Sequence, residues 1–337
     1  MKILILGGTK FFGLDFALLR AGQGDDVTVF SRTAPPFELP SNIQYIKGNR
    51  DSENDLAKLA KNKWDVVVDN ICFTPEQAQM GVKLFSQKTK LWIFVSTGDS
   101  HLTVKRATSP FTEDQCEILP DDENVRLKNL QPYGQGKRDA EKILLNAFKT
   151  KKFPACIVRF PIVIGPRDPK RRAYSYWLRI LDEKPIILPD GGSHKRRYLY
   201  SLDAAKALEL LVKKTNIVKG EIFHFGDSIE ITLREWINLS AQILNKQVTT
   251  VDIPSKWLLE NNYSLEKNSP YFFDGDYSLD INKAIEILGW KSTPIEDWMK
   301  KTAEWYFSKY AGPKPENYSD RQFEIELIKK WQNKGEQ

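Results

Sequence analysis

Tyr133 and Lys137 stand four residues apart in a stretch with helical spacing, so a helix places both side chains on one face. An ammonium beside a phenol favours phenolate and brings the tyrosine toward a useful pKa. Such a tyrosine takes a hydroxyl proton while hydride leaves the carbon, and in reverse it protonates a carbonyl oxygen as hydride arrives. Gly134 and Gly136 lie between the two. A glycine inside a helix costs about 1 kcal/mol, and close approach of a ligand is one reason to accept that cost. Ser96 and Thr97 follow an apolar run. A hydroxyl at the C-terminal edge of a parallel sheet can donate to a substrate oxygen, although Ser-Thr after a strand also serves as a cap or turn.

A second chemical signal sits at the N-terminus. Gly7-Gly8-Thr9-Lys10-Phe11-Phe12-Gly13 directly follows one apolar run and opens the first helical stretch. Glycine allows positive φ and lets backbone N–H groups approach a pyrophosphate, and the helix start adds unpaired donors and partial positive charge. In this strand–turn–helix context the pattern points to a dinucleotide. The next apolar run ends at Phe30-Ser31-Arg32, without the carboxylate that usually holds the ribose of NAD. Arg32 can pair with a 2′-phosphate, and Lys10 adds a second cation, so NADP is favoured and NAD is the other option. The bland alternative is two solvated surface charges.

These groups need elements to hold them. Lys2–Leu6, Val27–Ser31, Ile43–Ile46, Asp65–Asp69, Leu91–Val95 and Ala155–Phe160 have the character of strands buried on both faces, and Phe11–Ala21, Glu53–Ala60, Pro75–Phe85 and Tyr133–Phe148 that of helices. Strand alternating with helix predicts an α/β fold with a doubly wound parallel sheet of Rossmann type. Past Gly165 the pattern changes to polar, basic and Pro/Gly-bearing segments around a helix near Tyr174–Leu181 and a strand near Tyr198–Tyr200. A helix near Asp203–Lys213 and a strand near Glu221–Phe225 can extend the first sheet, and the chain from about 230 onward is mostly helical. The expected division is a nucleotide-binding domain over 1–165, completed by about 198–228, and a smaller, mainly helical C-terminal lobe from 166–197 and 229–337.

The 337 residues are 41% hydrophobic, and 50 Lys+Arg stand against 44 Asp+Glu, a net charge of +6. That composition excludes disorder and coiled coil, and no apolar stretch approaches the roughly 18 residues of a membrane span. Strand-like sequence from Lys2 leaves no room for a cleavable leader. Cys72, Cys116 and Cys156 lie far apart, as do His101, His194 and His224, so neither a disulfide framework nor a metal site is suggested. A cytoplasmic protein is expected.

Together these residues resemble the extended short-chain dehydrogenase/reductase superfamily, in its NAD(P)-dependent epimerase/dehydratase group. The likeness runs from the glycine turn to Leu288-Gly289-Trp290 and the Thr302–Tyr306 helix. Gly7–Gly13, Trp64–Asn70 and Val158–Pro169 are most similar to uncharacterised bacterial reductases and to chloroplast stem-loop-binding proteins. The resemblance implies a catalytic set of Thr97, Tyr133 and Lys137, the lysine also holding the nicotinamide ribose. It places cofactor contacts on Gly7, Thr9, Lys10, Phe11, Phe12, Gly13, Ser31, Arg32, Asn49, Arg50, Asn70, Ser96, Lys137 and Pro161, and substrate contacts on Asp99 and Arg196, the latter for the diphosphate of a nucleotide sugar. A homodimer through two helices of the nucleotide domain is common in the superfamily. This sequence departs from the pattern in several places. Lys10 replaces the middle glycine, and Asn49 replaces an adenine-contacting aspartate. Asp69-Asn70-Ile71-Cys72 replaces a small-residue loop, and Ile162 stands where many relatives place a substrate-binding Asn. Gly98-Asp99 replaces the Asp-Glu pair of dehydratases, which disfavours 4,6-dehydration.

The expected function is an NADP-dependent oxidoreductase or epimerase acting on a sugar nucleotide or related hydroxyl/keto compound. An RNA-binding protein that kept the fold is the alternative. Lys170-Arg171-Arg172 and His194–Arg197 could track phosphates, and Tyr174, Tyr176, Trp177 and Tyr198 could stack on bases. A pure binder has no need of the Thr/Tyr/Lys set, so nucleic acid is the less favoured partner. His224 and the Tyr271-Phe272-Phe273 run are expected to be packing residues.

Overall fold

The structure, a computed structural model, describes residues 1–103, 108–115 and 125–334; Cys116 lies outside them. Seven strands form one parallel sheet: β1 (Lys2–Leu6), β2 (Asp26–Ser31), β3 (Ile43–Lys47), β4 (Trp64–Asp69), β5 (Thr89–Thr97), β6 (Ala155–Phe160) and β7 (Ile222–His224). Their spatial order is β7-β6-β5-β4-β1-β2-β3. This is the Rossmann order, whose direction reverses between β1 and β4, where open α/β sheets bind ligands. Helices α1 (Phe11–Gly22), α2 (Glu53–Leu59), α3 (Pro75–Phe85), α4 (Val125–Lys151) and α5 (Ser201–Lys213) connect the strands.

Both faces of the sheet are covered, so its central strands are mostly apolar, whereas the edge strand β3 mixes buried and open positions. One core gathers Ile3, Ile5, Val66, Val68, Ile93 and Val158, and the other Leu4, Leu6, Val67, Trp92, Phe94 and Ile157. Residues alternate between the two cores along each strand, as the pleat requires. Each fully buried aliphatic side chain contributes about 1.5–3 kcal/mol. The helix entries are set locally. Ser52 accepts the Asp55 N–H to cap α2, and Thr74 and Gln77 form a reciprocal capping box with Pro75 opening α3.

Helix α4 differs from expectation. It begins at Val125 and carries Pro132 in its interior, so Tyr133 lies well inside it. A proline normally marks a helix start because it lacks the N–H of an interior residue, which is why the sequence places the start at Tyr133.

The chain divides into two compact units. The first comprises 1–163, 199–226 and 279–292; the second comprises 164–198, 227–278 and 293–337. Leu279–Ser292, expected in the C-terminal lobe, belongs to the first unit. Ile281, Ala284, Leu288 and Trp290 fill its core, and the Trp290 indole donates to the Gly226 carbonyl at 2.9 Å. The second unit contains helices Arg172–Leu181, Leu233–Ile243, Ile295–Ser308 and Arg321–Lys334. It also holds a short parallel strand pair, Ile186–Pro189 with Thr250–Ile253, which the helical reading past 230 missed. The buried Arg179 guanidinium pairs with Glu324 at 2.5 Å, and Arg321 joins Glu324 to Asp182. No helix among the described residues is long and apolar enough to cross a membrane.

Candidate active site

The glycine turn after β1 is tied to the end of β2 by a hydrogen bond from Gly7 N–H to the Phe30 carbonyl at 2.8 Å. Gly7 has φ +84, and a Cβ there would meet Ile71 at 2.6 Å; at Gly13 a Cβ would meet the Gly7 carbonyl at 2.7 Å and the Asn70 amide at 2.8 Å. Only glycine fits at these two close approaches. Lys10, in the middle-glycine position, has φ −143, an extended conformation open to any residue. Its side chain is exposed, so lysine is tolerated there. Strain falls instead on Phe11, at φ +50, a conformation costing roughly 1–2 kcal/mol for an L-residue and typical of functional sites. Phe12 packs edge-on against Phe160 at 5.7 Å between ring centroids, and Thr9 is buried.

No side chain caps the N-terminus of α1, and its first turn holds no acid. Its leading N–H groups therefore face outward with the positive end of the helix dipole, suited to an anion. Asn70 leans over the turn, its amide 3.5 Å from the Gly7 carbonyl, and its side-chain oxygen is buried without a partner. Uncapped amides, a glycine cradle and an orphaned buried acceptor fit a dinucleotide. Ser31 turns its hydroxyl to the Thr33 N–H at 3.2 Å. Arg32 and Lys10 are exposed, and neither has an ion-pair or side-chain hydrogen-bond partner among the described residues.

On α4 the Tyr133 ring is 39% exposed and Lys137 only 2%. The Lys137 ammonium donates to the Val95 carbonyl on β5 at 2.7 Å and lies 5.9 Å from the Tyr133 ring centroid. Burial lowers its pKa to about 8, partly countered by Cys72, Asp69 and Glu141 nearby. Two residues beyond Val95, Thr97 ends the strand. Its oxygen accepts the Asp99 N–H at 3.1 Å, which leaves the hydroxyl proton available to another acceptor. Asp99 is half-buried in the Gly98–Thr103 turn. Ser96, toward α4, donates to the Glu141 carboxylate of that helix, so its hydroxyl is engaged within the protein.

Gly136 calls for a correction. A Cβ there would meet the Phe73 carbonyl at 2.3 Å, so this glycine lets α4 close on the loop after β4 and needs no ligand to explain it.

Several other assigned residues are similarly occupied. The buried Arg50 guanidinium grips Asp69 through Nε (3.2 Å) and Nη2 (2.9 Å), and Nη2 also donates to the Gln77 carbonyl at 2.8 Å. In this position Arg50 is a strut between the β3–α2 loop and β4. The Asn49 side-chain oxygen accepts the Asp51 N–H at 3.2 Å in a local turn. Pro161 is buried just past β6.

Sequence inspection overlooked a buried network behind the site. Glu141, one turn after Lys137, holds Arg159 bidentately, with Nε–Oε1 at 3.0 Å and Nη2–Oε2 at 2.6 Å. Arg159 Nη1 donates to the Glu113 carbonyl at 3.0 Å and lies 3.2 Å from His224 Nε2. His101 and His224 stand 5.1 Å apart. Burial and the adjacent Arg159 push the His101 pKa down to about 4, so that imidazole stays neutral at physiological pH. The available signal was Arg159 itself, a charge within an otherwise apolar, fully buried strand that demands a partner.

In the second unit the Arg196 guanidinium is buried between the rings of Phe273 (5.0 Å) and Tyr277 (5.5 Å), with Nη2 unpartnered beside a small pocket that also touches His194 and Tyr271. The aromatics expected to stack on bases in the RNA-binding alternative are packed within the second unit. Tyr176, Trp177 and Tyr198 are core residues, Tyr174 stacks on Tyr306 at 4.8 Å, and Arg171 donates to the Tyr310 hydroxyl at 2.6 Å. Bases cannot stack on rings that are already buried.

Residues 3–226 match the NAD dependent epimerase/dehydratase family. The chain belongs to this family. Among relatives, a trifunctional UDP-glucose 4,6-dehydratase/UDP-4-keto-6-deoxy-D-glucose 3,5-epimerase/UDP-4-keto-L-rhamnose-reductase of Arabidopsis thaliana is 27% identical over 195 residues, 57% of this chain. The match spans only 27% of that enzyme's own length. The chloroplast stem-loop binding protein of 41 kDa b, also from Arabidopsis thaliana, is 25% identical over 305 residues, covering 86% of this chain and 75% of the relative. A dTDP-glucose 4,6-dehydratase from Bacillus anthracis, solved in complex with NAD, superposes with a TM-score of 0.72 at 20% identity, over 92% of this chain and 97% of that one. At that identity the superposition speaks for the fold alone. Within the epimerase/dehydratase family frame, the glycine turn, the Tyr133–Lys137 helix and the Thr97 strand end all belong to the first unit of this chain.

Proposed function

We propose that this epimerase/dehydratase-family chain is an NADP-dependent oxidoreductase or epimerase acting on a nucleotide sugar or a related hydroxyl/keto compound. The observation that carries the reading is the Lys137 ammonium, buried against the Val95 carbonyl on the helix that also bears Tyr133. An ammonium held in low dielectric stabilises a nearby phenolate far better than one in water. Tyr133 exchanges the proton of the reacting hydroxyl, and Thr97 orients the oxygen. The nicotinamide, when bound, supplies or accepts the hydride. The α1 amides, Gly7, Gly13 and Asn70 would hold the dinucleotide, and Arg32 with Lys10 would take a 2′-phosphate. In the second unit, Arg196 supplies a desolvated cation suited to a diphosphate. Gly98-Asp99 after Thr97 favours oxidation–reduction or epimerisation over dehydration.

The test mixes NADP-loaded protein with UDP-glucose or dTDP-glucose and follows the absorbance of reduced nicotinamide. Tyr133→Phe should slow its appearance by about 10²–10⁴-fold with nucleotide affinity unchanged. Full turnover in the variant would overturn the assignment.

A further inference from the structure

The loop after β4 carries Phe73, an exposed aromatic for which core packing gives no reason: 42% of it is open to solvent. Its backbone is nevertheless clamped from two sides. The Phe73 N–H donates to Gln77 Oε1 at 2.5 Å, joining it to the capping box that starts α3, and its carbonyl is pressed against Gly136 of α4. The ring so held lies 4.7 Å from the Lys137 ammonium, with the Phe94 ring at 4.9 Å, and is 6.1 Å from the Tyr133 ring.

We propose that Phe73 is a positioning residue of the site, its ring forming the cover that keeps water from the Lys137 ammonium and braces the Tyr133 ring. Aromatic faces suit this task because they tolerate a cation through the ring quadrupole while excluding water. Three titratable groups besides Tyr133 face the ammonium: Asp69 at the end of β4, Cys72 in the loop and Glu141 on α4. Asp69 is bound by Arg50 and Glu141 by Arg159, and burial pushes the Cys72 thiol up to about 12. Two of the negative groups are therefore engaged with arginines and the third stays a neutral thiol. The cover, more than a counter-ion, then sets the state of Lys137. Without the ring, water would reach the ammonium, raise its pKa and screen its field at the phenol. The consequence for catalysis rests on the Tyr133–Lys137 reading above; the cover itself does not.

The test is a pH titration of the whole protein carrying ¹³Cε-labelled lysine, followed by NMR, with the Lys137 signal assigned through Lys137→Arg. Wild type should titrate near 8. Phe73→Ala should move the midpoint up by about one pH unit or more, and Phe73→Tyr, which keeps the ring, should leave it near the wild-type value. An unmoved midpoint in Phe73→Ala, or equal movement in both variants, would overturn the proposal. Thermal melts of both variants control for folding. A midpoint that responds as expected in a protein that binds no nicotinamide nucleotide would keep the cover and discard the catalytic reading. An unmoved midpoint in a protein that still transfers hydride through Tyr133 would do the reverse.

Discussion

Lys137 is the residue on which the proposed chemistry converges, and its environment has a thermodynamic signature. Burial holds its folded-state pKa near 8, below the 10.5 of an ordinary lysine. Below pH 8 it is protonated in both folded and unfolded states, so the full cost of burying the charge weighs on folding. Between about 8 and 10.5 the folded state releases its proton first, and the cost fades as pH rises. Lys137→Met should therefore be more stable than wild type at pH 7 by about 1–3 kcal/mol, with the difference shrinking toward pH 10. Urea unfolding of both proteins at the two pH values checks this, and a difference independent of pH would contradict it. The Tyr133–Lys137 spacing and the glycine turn were legible because each is a local pattern. Phe73 over Lys137 was not, since 64 residues separate two side chains that only the fold brings together. Lys10 looked like a departure from the glycine pattern, yet its extended φ shows that no glycine is needed there.

At the scale of elements, the site depends on how α4 is seated against β5 and β6. The Glu141–Arg159 pair fastens the helix to β6, and the Ser96 hydroxyl adds a bond to β5. Breaking one partner of a buried pair leaves an uncompensated charge in low dielectric, at a cost of about 3–5 kcal/mol. Glu141→Gln should lose stability on that order in urea unfolding, with Arg159 left to its neutral partners. A loss below about 1 kcal/mol would mean that the pair is not what holds the helix. The strands were legible because they are continuous apolar runs. The start of α4 was not, since Pro132 carries the local signal of a helix beginning while the chain folds through it from Val125. Arg159 and Asp69 were each visible as charges in buried strands, but which residue answered each charge was a tertiary question.

Across the whole molecule, the alternation of strand and helix revealed the Rossmann sheet, and the match to the epimerase/dehydratase family over residues 3–226 agrees with it. The membership of Leu279–Ser292 in the first unit was hidden, because its apolar residues differ in no local respect from those of the lobe around it. Aromatics beside basic residues likewise suggested a nucleic-acid face, but burial of Tyr176, Trp177 and Tyr198 decides their role as core. The claim that joins these scales is that the first unit binds a nicotinamide dinucleotide for hydride transfer. Calorimetric titration with NADPH and NADH, on protein checked for carried-over nucleotide, tests it most directly. Micromolar binding of NADPH is predicted, tighter than NADH by about tenfold or more, or roughly 1.4 kcal/mol, with that gap narrowing in Arg32→Ala. Binding of neither dinucleotide would contradict the account.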